Sequence, residues 1–473
     1  MRRAACVLAP FALVALAACG APAPPPPAIV LADVRPAPPT PDEVASWVEW
    51  GPMLGPSASR ATTVLVQLDR AADVAVRVAP IDDGGEVDAF TTLPVRASVD
   101  DDFVAHVEVA LLEPGVTYDY ELVIDGAVVP ATHRQQLQTT PLWQWRTDPP
   151  TFEVAFGSCL YVNQPEYDRP GDPYGGEHEI LEAIAARQPD LMIWAGDNTY
   201  FREVDWTSPA GMNARWSYDR AIPELQGLLA SVHHYATWDD HDFGPNDSDA
   251  TFVFADVARD LFMRYWANPT YGDGDRGVYT RFEWGDAEFF LVDGRSWRGP
   301  DDGGEPDVPM LGAAQVDWLV DALTSSRATF KIVVSGSQMV NEMTPWEAWA
   351  RHPDERADFF DRLAARGVEG VVILSGDRHH SELLTLERDD FYPVYEFTSS
   401  PLTAGAADAR FELDNPQRVD GTLVVEQRSF GTVAFEGARD DRTMILRAHD
   451  VAGDVLWEHR IHESELTLAT DDE

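Results

Sequence analysis

A chain of 473 residues exceeds what one compact core serves and calls for two or three domains. Its 80 Asp and Glu against 35 Lys and Arg leave a formal charge of −45, which repels nucleic acid over most of the surface. With 45% hydrophobic and 10% aromatic residues the chain can nevertheless bury ordinary cores, so wholesale disorder is excluded.

At the start of the chain, Met1-Arg2-Arg3 and the apolar stretch to Ala18 predict a secretion signal (residues 1–18), too short and wrongly flanked for a membrane span. Leu16-Ala17-Ala18-Cys19 resembles the lipobox of bacterial lipoproteins. That resemblance implies cleavage before Cys19 and lipidation at Cys19, hence an exported protein anchored to a membrane of the bacterial envelope, the outer membrane being expected. An ordinary secretory signal with a stray cysteine is the plainer alternative. Residues 19–44, rich in Ala and Pro and including Pro24 to Pro27, read as an extended tether. Cys6 leaves with the signal and Cys19 is lipidated, so Cys159 has no partner for an internal disulfide. Alone, it reads as a buried apolar residue, a nucleophile or a metal ligand.

Residues 45–142 read as short strands, at 61–68, 74–78, 103–109 and 118–123, separated by Asp, Gly and Pro turns. The stretch Leu112 to Tyr120 resembles the tyrosine corner of fibronectin type III sandwiches, so a small all-β sandwich is expected here, in a covering or positioning role. From Phe152 the pattern turns to strands alternating with helices, an α/β domain over residues 150–465. Buried strands are expected at 152–156, 191–194, 234–238, 288–292, 331–334 and 371–374, and helices at 178–187, 251–266, 313–323 and 354–366. Antiparallel strands at 421–426, 431–436 and 443–447 are expected to finish a sheet.

Polar clusters follow five of the predicted strands. They are Gly157-Ser158-Cys159, Ala195-Gly-Asp197-Asn-Thr-Tyr200, Asp239-Asp240-His241-Asp242 with Asn246 and Asp247 beyond, Ser335-Gly-Ser-Gln338, and Ser375-Gly-Asp377-Arg378-His379-His380. In an α/β sheet the carboxyl ends of neighbouring strands face one crevice, where ligands bind. These carboxylates, imidazoles, thiol and phenol outnumber the needs of a catalytic triad, and without cations such crowding forces repulsion or protonation. Two or more cations would relieve it and draw an anionic substrate to an acidic protein. Thiolate and phenolate beside Asp and His suit oxidised iron, and all-oxygen positions suit Ca²⁺ or Mg²⁺. His233 and His234, which open a strand, read as structural, as does His380, which faces away from its neighbour.

Ser158-Cys159, Gly196-Asp197-x-x-Tyr200, Trp238-Asp-Asp-His-Asp242, Asp293-Gly-Arg-Ser-Trp-Arg298, Ser375-Gly-Asp-Arg-His379 and Glu396-Phe-Thr-Ser-Ser-Pro401 resemble, in order, the blocks of PhoD-like alkaline phosphatases, members of the calcineurin-type metallophosphoesterases. The resemblance implies a four-layer α/β sandwich, two mixed sheets flanked by helices, behind the small β-sandwich. It implies Cys159, Asp197 and Tyr200 as ligands of Fe³⁺, with Asp197 bridging to Ca²⁺. Asp240 and His241 stand at the superfamily's Asn-His pair, and Asp377 and His379 at its Gly-His-x-His motif, with Asp replacing the first His. Asn246 is a further candidate ligand, although Phe243-Gly-Pro245 departs from the expected spacing. The activity implied is hydrolysis of small-molecule or lipid phosphate esters, mono- or diesters, by in-line attack of a metal-held hydroxide. His241 is expected to stabilise the phosphoryl oxygens or protonate the leaving oxygen, and Arg378, with Arg295 and Arg298, to contact phosphate or to pair with local Asp residues. A monomer is expected, with no nucleic-acid partner. Two alternatives stand beside this reading, a hydrolase using Cys159 as nucleophile with His241 or His379, and a lipid-anchored binding protein without turnover.

Overall fold

The computed structural model of the chain describes residues 38–81, 88–300, 308–344 and 346–468, so the predicted secretion signal, Cys19 and most of the predicted tether lie outside the described residues. All six predicted strands of the α/β region form. Phe152–Gly157, Leu191–Ala195 and His233–Thr237 run parallel in one sheet, with Phe156 opposite Ile193 and Ile193 opposite Tyr235. Ala287–Leu291, Phe330–Ser335 and Val371–Ser375 run parallel in another, joined by Val394–Thr398. Residues alternate across each strand as a pleat requires. Val154, Phe156, Leu191, Ile193 and Tyr235 enter a core shared with Phe289, Ile332 and Ile373 of the second sheet. Ala155, Met192, Trp194 and Ala236 turn to the opposite side, where they meet the helices Glu179–Arg187, Pro209–Arg220, Pro223–Ser231 and Ala255–Tyr265. The helices Ala313–Ser325 and Pro353–Arg366 bury Leu319, Leu323, Phe359 and Leu363 with the second sheet. The result is a mixed α/β fold in which the carboxyl ends of both parallel sets reach one rim, with the Thr237 hydroxyl donating to Val292 O across the two sheets at 2.6 Å.

The amino-terminal strands do not form a detached bead. Val48–Ser57 pairs in parallel with His233–Thr237, Leu54 lying opposite His233, and antiparallel with Ala61–Leu68, which in turn pairs with Val104–Ala110. Among the described residues the first sheet is therefore nine strands wide, from Val104–Ala110 at one edge to Val455–His462 at the other. A smaller sheet built on Asp73–Pro80 and Thr117–Ile124 closes over its end, enclosing Val64, Val66, Val76, Val107 and Leu122. The Tyr118 hydroxyl accepts a hydrogen bond from Glu113 N at 2.9 Å, and Tyr120 donates to Ala230 O at 2.7 Å.

Three expectations are revised. Residues 421–426 are not a strand: only Val424 bridges, to Ser381, because Glu426 adopts φ +57° and turns the chain away. The helix expected at 251–266 begins at Ala255. Among the described residues four α-helices were not expected, Pro41–Ala45, Pro209–Arg220, Pro223–Ser231 and Asp240–Phe243. Pro209–Arg220 starts conventionally, with Ser208 accepting from Gly211 N and Pro209 in the first turn, but it buries Arg215, Asp219 and Arg220 on its inner face. Among the described residues no helix is long and apolar enough to cross a membrane.

Candidate metal centre

At the rim the strands end in abrupt turns. Cys159, Asp197, Asp377 and His379 have φ of +63°, +53°, +64° and +57°, a region that residues other than Gly, Asn and Asp enter at a cost. Glycines let these turns touch backbone to backbone: a Cβ on Gly376 would lie 2.4 Å from Ser158 Oγ and 2.5 Å from Ala195 O. The strained residues thereby swing their side chains into one space.

Asp197 is the hub of that space. Its Oδ2 accepts from the Tyr200 hydroxyl at 2.9 Å and from the Cys159 thiol at 3.5 Å, and its Oδ1 from His241 N at 3.4 Å. Ligand atoms of Cys159, Asp197 and His379 lie within 4.8 Å of one another, as do those of Asp197, Asp240 and His241. Two further groups, Asp239 with Asp240 and Asp377, and Asp240 with Asp247 and Glu347, join through Asp240. Tyr200 also approaches His379 Nε2 at 3.4 Å and stacks on the His241 ring, centroids 4.0 Å apart.

Outer contacts fix these donors. The Ser400 hydroxyl donates to Cys159 Sγ at 3.0 Å, and the Ser158 hydroxyl lies 3.3 Å from it. His379 Nδ1 lies 2.5 Å from Gly405 O, so it carries the proton and leaves the Nε2 lone pair facing inward. Arg295 is fully buried, with Nε donating to Asp239 at 2.6 Å and both terminal nitrogens to Glu347 at 2.9 Å. Arg298 also reaches Glu347, at 3.1 Å, so local carboxylates hold both arginines. Arg378 donates to Asp377 at 2.8 Å, and its buried Nε has no hydrogen-bond partner.

The profile of PhoD-like phosphatases matches residues 155–440, which carry every residue of this cluster. The chain belongs to the PhoD-like phosphatase family. A second profile, a domain of unknown function designated DUF7800, matches residues 46–142. Alkaline phosphatase D of Bacillus subtilis (strain 168) is 22% identical over 367 residues, and the chain spans about 60% of that relative's length. A solved structure of PhoD superposes with a TM-score of 0.70 at 18% identity, over 90% of this chain and 92% of that one. A purple acid phosphatase from yellow lupin (Lupinus luteus) seeds superposes with a TM-score of 0.61 at 12% identity, over 87% and 74% of the two chains. At these identities the two structures show a shared fold.

In this member of the family the donors fit a set of cations. Burial, then the charge of Asp377, pushes the Cys159 thiol up to about 11. Burial, followed by Cys159 and Asp240, raises Asp197 far above the carboxylate range, and burial brings Asp239 to about 7 in spite of Arg295. Burial would raise Asp240 as well, but His241 and Arg295 hold it low. Burial lowers His241 and His379, favouring the neutral imidazoles that ligate metals. Without cations the cluster must therefore keep protons on groups that are ordinarily anionic. Two buried atoms, Asp240 Oδ1 and His241 Nδ1, make no hydrogen bond among the described residues. Orphaned acceptors and mutually repelling carboxylates are what bound cations would satisfy.

Of the residues read from sequence, Cys159, Asp197, Tyr200, Asp240, His241, Asp377 and His379 converge here. Asn246 does not turn inward: it is exposed in the loop after the short helix Asp240–Phe243, and its neighbour Asp247 faces the cluster, donating from N to Asp240 at 2.6 Å. Glu347, Ser400 and Tyr174 were missed. Tyr174, whose hydroxyl lies 3.2 Å from His379 Nδ1, and Glu347 come from loops far from any motif, whereas Ser400 sits inside the Glu396–Pro401 block.

Proposed function

We propose that this chain hydrolyses phosphate esters at a multinuclear metal centre hung on Asp197. The observation that carries this reading is the sharing of one carboxylate between two donor sets of unlike chemistry, thiol with imidazole on one side and carboxylate with imidazole on the other. When bound, paired cations supply Lewis acidity to phosphoryl oxygens and bring the pKa of water toward neutrality. Cys159, Asp197, Tyr200 and His379 would hold Fe³⁺, and Asp197, Asp240 and Asp377 would hold Ca²⁺, following the softness of the donors. His241, stacked on Tyr200 with Nδ1 unpartnered, is positioned to steady a phosphoryl oxygen or protonate the leaving oxygen of an in-line displacement. Arg378, held beside Asp377, would meet the substrate's phosphate.

The substrates fitting this reading are small-molecule or lipid phosphate esters, met at the cell envelope by an exported, lipid-anchored, monomeric protein. Its architecture would be the four-layer metallophosphoesterase sandwich behind a fibronectin-III-like cover. The test is metal analysis of protein purified without added metal, beside phosphomonoester and phosphodiester assays before and after chelation. Asp197→Asn is expected to lose bound metal and at least about 10³-fold in kcat/KM. Full activity in metal-free protein would overturn the proposal. A thiol-nucleophile mechanism is disfavoured because Cys159 is fully buried and its thiol raised to about 11.

A further inference from the structure

A second cluster lies on the other side of the turn that carries Asp377 and His379, and shares no residue with the four groups above. Ligand atoms of His380, Glu382 and Glu412 lie within 4.8 Å of one another, and all three residues are buried, at 1%, 0% and 0% exposure. The hydrogen bonds around them fix which atoms carry protons. His380 Nδ1 lies 3.0 Å from Arg378 O, a group that can only accept, so Nδ1 holds a proton. His380 Nε2 then faces Glu382 Oε1 at 3.0 Å. Asn341 Oδ1 accepts from Met343 N and Thr344 N, which turns its amide nitrogen toward Glu412 Oε1 at 3.1 Å. Asn415 Oδ1 likewise accepts from Gln417 N, and its amide nitrogen donates to Glu412 Oε2 at 2.7 Å. Both Glu412 oxygens are thus acceptors, as in a carboxylate. Gln338 Nε2 donates to Glu382 Oε1 at 2.9 Å. Among the described residues Glu382 Oε2 has no hydrogen-bond partner, although it is buried.

An imidazolium would leave two buried carboxylates facing one positive charge, with an acceptor oxygen unsatisfied. A divalent ion would balance both carboxylates, take the Nε2 lone pair of a neutral His380, and occupy the orphaned oxygen. The backbone carbonyl on Nδ1 is the outer contact that metal-bound histidines ordinarily have. We propose that His380, Glu382 and Glu412 form a separate structural site for a divalent transition ion. One nitrogen and carboxylate oxygens suit Zn²⁺ or Mn²⁺ better than Ca²⁺ or Mg²⁺. The ion would tie the 376–382 turn to the 338–341 and 412–415 segments, and so brace the turn that presents Asp377 and His379 to the principal centre.

Chelated whole protein is reloaded with Zn²⁺ alone or Mn²⁺ alone, and metal per chain is measured after desalting. Glu382→Gln is expected to hold one equivalent less than the parent chain. Asp197→Asn, which dismantles the principal centre, is expected to retain one equivalent that the double variant Asp197→Asn, Glu382→Gln lacks, so the two sites fail independently. Because a buried substitution can prevent folding, the parent chain is also crystallised with Mn²⁺ and its anomalous scattering recorded. A peak within bonding reach of His380 Nε2 and Glu382 is expected. Equal metal in the parent and Glu382→Gln, or the absence of that peak in both Mn²⁺- and Zn²⁺-loaded crystals, overturns the proposal.

Discussion

Cys159 shows how a site decides the character of one residue. In isolation its sequence fits a small apolar residue, a nucleophile or a ligand. The structure gives it no exposure, a serine hydroxyl donating to its sulfur, and a left-handed backbone that points Sγ at Asp197. Without a cation, a thiol raised to about 11 stays protonated near neutrality; with one it would be engaged as a ligand, and in either state its lack of exposure closes it to reagents. Treatment of the native protein with iodoacetamide is therefore expected to leave phosphatase activity unchanged, with modification appearing only after unfolding. Rapid inactivation in step with single-site labelling would contradict this placement. The other donors were legible because each stands directly after a buried strand, where the fold gathers polar groups. Glu347 was not, since its partner Arg295 lies 52 residues earlier and no pattern joins them.

Among the elements, what the sequence disguised is instructive. The helix Pro209–Arg220 buries Arg215 and Asp219, which pair with each other, and Arg220, whose guanidinium lies over the Trp266 ring 3.7 Å from its centroid, so its inner face reads as solvent-facing and its apolar periodicity is lost. The strands at 191–195 and 371–375 are apolar up to the closing Ser375 and could be read directly. Their end turns are sensitive to added volume. Gly376→Ala would force its Cβ against Ser158 and the backbone of Ala195, and is expected to cost about 1–3 kcal/mol and weaken metal binding by roughly 10–100-fold, read from denaturant melts and metal titration. In the His233–Thr237 strand, His234 Nδ1 lies 3.0 Å from the Trp194 Nε1 donor and Nε2 lies 3.2 Å from Leu228 O, a pattern that suits only neutral imidazole. Burial, then Arg220, lowers its pKa from 6.5 to about 3. The unfolded chain therefore binds this proton first as pH falls. The contribution of His234 is intact above pH 6.5 and is lost progressively from there to about pH 3, roughly 2 kcal/mol by pH 5. Asp242 and Glu396, raised by burial to about 7, act in the opposite direction, so the readout is a difference. Between pH 7 and 5 the parent chain should lose about that much more stability than His234→Gln, and parallel urea profiles would remove the assignment.

For the whole molecule, charge is the dominant property: at −45 the folded state gathers repulsion that the expanded chain dilutes. Raising NaCl from 0.01 to 0.15 M, which shortens the screening length from about 30 to about 8 Å, is expected to raise Tm by about 2–5 °C. A Tm that falls instead would mean that the arginine ion pairs outweigh the general repulsion. The junction at which Leu54 pairs with His233 has a different bearing, on heredity. A segment stitched by hydrogen bonds into the sheet that carries the donor cluster is a poor cassette for recombination. Exchange of residues 46–142 with an unrelated cover would leave the His233–Thr237 strand with a raw edge and Tyr235 without its Ser57 contact. Inheritance of both parts as one gene segment is therefore the expected pattern.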